Sequence, residues 1–135
     1  MEKEDLYGTW RLMSFMQQSN GGEKTEFLGK SPHGFLSYGR DGRMSAMIVK
    51  DERPPVADPA NPTDAELAGL FNTMFAYGGT FTFDGKQVTH HVDISWNGSW
   101  TGTDQVRDVR LEGGKLHITS VQPDLIAYYL VWEKV

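Results

Sequence analysis

The spacing of turn signals is the tightest constraint on this chain. Asp41-Gly42, Asp84-Gly85, Asn97-Gly98, Gly113-Gly114 and the Gln122-Pro123-Asp124 break each separate short runs in which apolar and polar residues alternate. Glycine and asparagine reach positive φ at little cost, so such pairs close hairpins. The intervals between them suit strands. Marked off this way, the candidate strands are Leu6 to Gln18, Gly34 to Tyr38, Arg43 to Val49, Thr80 to Asp84, Val88 to Trp96, Trp100 to Leu111, Leu116 to Thr119 and Ala127 to Val135. About eight antiparallel strands on short turns predict an all-β fold, an up-and-down barrel, because closure removes the exposed edges that so many strands would leave.

One segment departs from this rhythm. Residues 51–62, DERPPVADPANP, carry four of the six prolines and can be neither helix nor interior strand. Directly after them Thr63 and Glu66 stand in the spacing of a capping box, each side chain answering the other's free backbone N–H. Leu67, Leu70, Phe71, Met74 and Phe75 then fall on one stripe, and Gly78-Gly79 supplies a stop, so the pattern predicts one α-helix around residues 63–77. Such a helix buries its stripe on the outer barrel wall or lies as a lid across a barrel mouth, with the proline-rich loop as hinge.

Length and charge narrow the partners. At 135 residues the chain is expected to be a single domain spanning 1–135. A net charge of −5 without a basic cluster argues against nucleic acid, since the long-range field repels phosphate. With no cysteine, thiolate metal sites and disulfides drop out. The acidic start MEKEDLYG is unlike a signal peptide, and no apolar run approaches the ~20 residues of a membrane span. A cytoplasmic protein is expected; a homodimer is left open.

The unusual chemistry is concentrated between Lys86 and Leu111, which holds two of the four histidines and two of the four tryptophans. A period of two places Val88, His90, Val92, Ile94 and Trp96 on one face, so an imidazole points at the core. Burial there would keep it neutral, able to read a ligand's hydroxyl or carbonyl, or simply to bond a neighbouring strand. Arg107 is in phase with Val109 and Leu111, where its guanidinium could hold a carboxylate or enolate, or pair structurally with Asp104, Asp108 or Glu133. A bulge would bring Arg110 or Asp104 to that face instead. His91 and Asp93 share the opposite face, and two ligands do not make a zinc site, so no metal is expected. Haem would need an open pocket beside His90 or His117; no cofactor is expected. Neither a nucleophile elbow, a P-loop nor a dinucleotide fingerprint is present.

Gly8-Thr9-Trp10-Arg11 in the first strand resembles the G-x-W of the calycins. Further blocks follow in order: GTWRLMSF at 8–15, GFLSYGRDGRMSAMI at 34–48, YGGTFTFDG at 77–85, VTHHVDIS at 88–95, WTGTDQVR at 100–107 and LVWEKV at 130–135. Together they are similar to the small bacterial and fungal lipocalin-like domain family over nearly the whole chain. The resemblance implies an eight-stranded calycin-type barrel, with the G-x-W tryptophan across its bottom and an internal cavity, and no defined reaction.

Three functional readings follow. A binding module would hold a small hydrophobic or aromatic molecule among Trp10, Met44, Phe81, Phe83, His90, Trp96 and Tyr129, with His90 and Arg107 fixing a polar head group. A proton-transfer enzyme, an isomerase, cyclase or dehydratase, would use His90 as acid/base and Arg107 to stabilise an enolate, with Tyr129 or Asp104 tuning the histidine. A filled barrel would be a structural or interaction domain.

Overall fold

The computed structural model describes residues 1–135. Its strands are β1 (Gly8–Gln18), β2 (Thr25–Glu26), β3 (His33–Tyr38), β4 (Arg43–Val49), β5 (Met74–Phe83), β6 (Gln87–Ser95), β7 (Asp104–Glu112), β8 (Lys115–Val121) and β9 (Ala127–Lys134). Helix α1 (Asp64–Asn72) lies between β4 and β5, and a 3-10 turn (Lys3–Leu6) precedes β1. Every neighbouring pair is antiparallel, and β9 returns to pair with β1 from Trp10↔Lys134 to Gln18↔Ala127. Setting aside the two-residue β2, which pairs with β1 at Met16 and Gln17, the other eight of nine strands close a barrel.

One end of the barrel is sealed by its own side chains. Trp10, 2% exposed, donates its indole N–H to the Leu6 carbonyl at 2.9 Å, so the 3-10 turn is pinned beneath the barrel and Leu6 is fully buried. Leu36, Met44, Phe81, Val88, Leu116 and Trp132 fill the space above it. The placement of Trp10 agrees with what the G-x-W resemblance implies.

Two bulges account for the departures from simple alternation. In β1 the register shifts between Leu12↔Trp132 and Ser14↔Val131, leaving Met13 unpaired and exposed. Trp10 and Leu12 point inward below the bulge and Phe15 above it. This change of phase puts apolar residues on both sequence faces of β1 although the strand is buried on one side only. In β6 the register steps from Gly79↔Val92 to Gly78↔Ile94, with Asp93 as the extra residue. Val88, His90 and Val92 therefore face the interior, whereas Ile94 turns out to solvent at 66% exposure. The expected inward row ends at Val92, and Ile94 and Trp96 leave it.

The helix is shorter than its apolar stripe. Helix α1 opens on the capping box, with Glu66 N–H donating to Thr63 Oγ1 at 3.1 Å and Thr63 N–H to Glu66 Oε1 at 2.9 Å. It stops at Asn72, where Thr73 Oγ1 donates back to the Gly69 carbonyl and Arg53 donates to Thr73 Oγ1 and the Leu70 carbonyl. A cation on the last carbonyls is a natural terminus. Met74 to Tyr77, expected to be helical, pair instead with Val49 to Ala46 of β4. Phe75, Tyr77 and Phe81 also fit a period of two, and strand pairing supplies β4 with a partner along its whole length. No residue of α1 is buried, and Leu67 and Phe71 stay exposed. The helix therefore leaves its stripe largely at the surface. Strand β7 likewise starts at Asp104; Trp100 belongs to the turn, its N–H donating to the Asn97 carbonyl at 2.9 Å.

No helix is long and apolar enough to cross a membrane.

Candidate functional site

The end opposite Trp10 is hollow. A cavity of about 480 Å³ runs inward from the mouth formed by the β8–β9 turn and the β6–β7 connection. Phe15, Phe75, Trp100 and Tyr128 wall its outer part; His90, Arg107 and Trp132 are reached farther in. The aromatic wall is continuous, because Tyr77 packs on Trp100 with ring centroids 5.4 Å apart and Trp100 on Trp96 at 5.2 Å. Trp96 in turn stacks near Phe71 and donates its indole N–H to the Phe71 carbonyl, which ties the end of α1 to the rim. No residue of α1 lines the cavity itself.

At the floor sits a three-residue polar unit. His90, 2% exposed, has Tyr38 Oη at 2.7 Å from Nε2 and Tyr77 Oη at 2.7 Å from Nδ1. Both ring nitrogens are thus occupied by phenols from β3 and β5. Burial, reinforced by the positive charge of Arg107 and by His91, pushes the His90 pKa down to about 3. Burial drives the Tyr77 phenol up to about 12 and holds Tyr38 well above its ordinary value, with Arg107 opposing both shifts. At neutral pH the unit is therefore uncharged: two protonated phenols bracket a neutral imidazole.

Arg107 supplies the positive charge. Its Nη1 donates to the Val106 carbonyl and its Nη2 to Gln105 Oε1, each at 3.1 Å. The carboxylates expected to pair with it are engaged elsewhere: Asp104 by His91 at 2.8 Å, Asp108 by Gln87 at 2.9 Å and Glu133 by Lys115 at 3.9 Å. A half-buried guanidinium thus borders the cavity with no counter-ion.

Of the residues singled out in the sequence, His90 and Arg107 come together at the cavity. Trp10, Met44 and Phe81 are buried toward the sealed end, and Phe83 packs against that core. Trp96 stands at the rim because the Asp93 bulge turns it out of phase. Tyr129 points away, its hydroxyl donating to Gln18 Oε1 at 2.9 Å and its ring lying under Lys24; its neighbour Tyr128 lines the cavity. His91 and Asp93 lie on the outer surface. His91 is bonded by Asp104 and Thr82, and Asp93 by a two-point contact with Arg43 at 3.0 Å. His117, on β8, meets Arg110 on the outside. Sequence reasoning missed Tyr38 and Tyr77, although Tyr77 keeps inward phase with Phe75 and Phe81 once β5 is extended to Met74.

A family model described as "Lipocalin-like domain" matches residues 7–135. The "4'-hydroxy-3'-methoxypropiophenone carrier protein ppsC" of Aspergillus oryzae is 33% identical over 107 residues, covering 68% of this chain and 96% of that protein. A solved structure of an uncharacterized protein from Bacteroides eggerthii aligns with a TM-score of 0.47 at 12% identity, over 93% of this chain and 98% of the other.

Proposed function

The chain belongs to the lipocalin-like domain family, and from that premise we propose that it is a carrier whose barrel takes up a small, largely aromatic molecule with one polar head group. The observation that carries this reading is the cavity: about 480 Å³, walled by aromatic rings, with an unpaired guanidinium and a phenol at depth. Ligand sites are built this way, with apolar walls that supply affinity and a few polar groups that fix orientation. The name of the Aspergillus oryzae relative, which specifies an aryl ketone as cargo, supports the same chemistry. The apolar ring of such a molecule would lie among Phe15, Phe75, Trp100 and Tyr128, and its polar end would meet Arg107.

Proton-transfer catalysis draws less support from this geometry. A general base works best with a pKa near the operating pH, whereas His90 is held at about 3 with both nitrogens already bonded. A filled barrel is at odds with the open cavity.

Trp100 and Trp132 border the cavity, so a bound aromatic molecule reports itself through their fluorescence. Titration with a panel of aryl ketones, phenolic acids and fatty acids is expected to give saturable quenching at one site per chain for at least one aromatic member. Absence of saturable quenching across the panel at millimolar concentration would overturn the proposal.

A further inference from the structure

The hydrogen atoms of the Tyr38–His90–Tyr77 unit can be placed by counting donors and acceptors. A neutral imidazole has one N–H and one bare nitrogen, so one tyrosine donates to it and the other accepts from it. Tyr38 is 2% exposed, does not line the cavity, and has His90 Nε2 as its sole hydrogen-bond partner. Were Nε2 protonated, the Tyr38 hydroxyl hydrogen would be buried without an acceptor, and a buried orphaned donor is costly. The order that satisfies every group is Tyr38 Oη–H to Nε2, then Nδ1–H to Tyr77 Oη. Tyr77, which does line the cavity, is left with its own O–H unspent and open to the interior.

We propose that the Tyr77 hydroxyl is the donor that selects the cargo, and that with Arg107 it makes the deep end of the cavity a donor-only pocket for a bare acceptor oxygen such as a ketone. Deepening the carrier reading and resting on it, this assignment specifies the hydrogen-bond polarity of the head group. Arg107 has donors alone, and Gln105, whose Oε1 receives Arg107 Nη2, does not line the cavity. An alcohol placed there accepts as well as a ketone does but buries its own O–H with nothing to receive it. The lining side chains that can accept, Ser120, Gln122 and the carboxylate of Asp124, belong to the mouth half beside the β8–β9 turn, away from the floor.

The test compares 4'-hydroxypropiophenone with its benzylic alcohol by tryptophan quenching, in the wild-type chain and in Tyr77→Phe. The ketone is expected to bind about tenfold more tightly than the alcohol, the loss that one unsatisfied buried donor imposes. Tyr77→Phe should weaken ketone and alcohol alike by a similar factor, because each loses one donor while Arg107 still gives the alcohol's O–H no acceptor; a ketone affinity left unchanged by the substitution overturns the role of Tyr77 as donor. Nitrogen NMR of the unliganded wild-type chain reads the tautomer independently of any ligand and of how well the variant folds; the expected form has hydrogen on Nδ1. An Nε2-protonated ring, or equal binding of ketone and alcohol, overturns the donor assignment while leaving a carrier. Silence from both compounds while another member of the panel binds overturns the selectivity and leaves a carrier; silence across the whole panel overturns the carrier reading, and the selectivity with it.

Discussion

Burying a neutral histidine makes the stability of this barrel depend on pH in a way that His90 alone should dominate. The folded chain holds His90 at about 3, against an ordinary histidine value of 6.5. Between those two values the unfolded chain binds a proton that the folded chain refuses, so stability rises with pH across that window and is flat above it. The slope contributed by one such group is about 1.4 kcal/mol per pH unit. Going from pH 7.5 to 4.5 should therefore cost about 3 kcal/mol through His90. With a urea dependence of about 1.5 kcal/mol per molar for a chain of this size, the unfolding midpoint should fall by about 2 M. The exposed carboxylates Glu66, Asp84 and Asp93, whose pKa values are lowered by hydrogen bonds from backbone N–H groups or Arg43, also lose stability in acid. Their contribution is common to wild type and a His90→Gln variant, whose amide can accept from Tyr38 and donate to Tyr77 but does not titrate. Urea unfolding of both proteins at the two pH values isolates the histidine as a double difference. Equal acid losses in the two proteins would refute the claim that His90 is held neutral by burial.

Other consequences can be checked at single positions. Arg107→Met should raise the folded-state pKa of His90 by removing a neighbouring positive charge, so the acid loss of stability levels off earlier when the urea series is carried down through about pH 3; an unchanged profile there would separate Arg107 from the ring. Gly79→Ala should prevent folding or cost several kcal/mol, because a Cβ there would lie 1.8 Å from the His91 carbonyl oxygen opposite the β6 bulge, whereas Gly98→Ala meets nothing within 4 Å and should leave the thermal midpoint unmoved. Thr63→Ala removes one half of the capping box and should weaken α1 by about 1 kcal/mol. Since no residue of α1 is buried, that loss should appear as roughly fivefold faster amide exchange within the helix and barely alter global unfolding.

Turn chemistry made the barrel readable from sequence, while the devices that change phase did not declare themselves. Gly42, Gly85, Gly113 and Gly114 all take positive φ at the hairpins where Asp-Gly and Gly-Gly pairs forecast them. Met13 and Asp93 are ordinary residues whose role as bulges depends on the partner strand, so the inward assignments of Ile94 and Trp96 failed with them. The stripe from Leu67 to Phe75 satisfies helical spacing, but Phe75 satisfies strand alternation with Tyr77 and Phe81 equally well, and pairing with β4 decides the matter. That decision hid Tyr77 inside an expected helix. His90 and Arg107 were identifiable because a polar side chain in an apolar row stands out locally; Tyr38 and Tyr77 become visible only when β3 and β5 are brought around the same imidazole.

The four tryptophans divide the barrel into zones, which allows a single experiment to ask where a ligand goes. Trp10 lies at the sealed end, Trp96 at the rim, and Trp100 and Trp132 against the cavity. The indole N–H resonances of an isotopically labelled sample, followed while an aryl ketone is added, should show Trp100 and Trp132 shifting together to saturation with Trp10 unmoved. Saturable shifts confined to Trp10, or no shift of any indole while the ligand is shown to bind, would contradict a hollow barrel that carries its cargo inside.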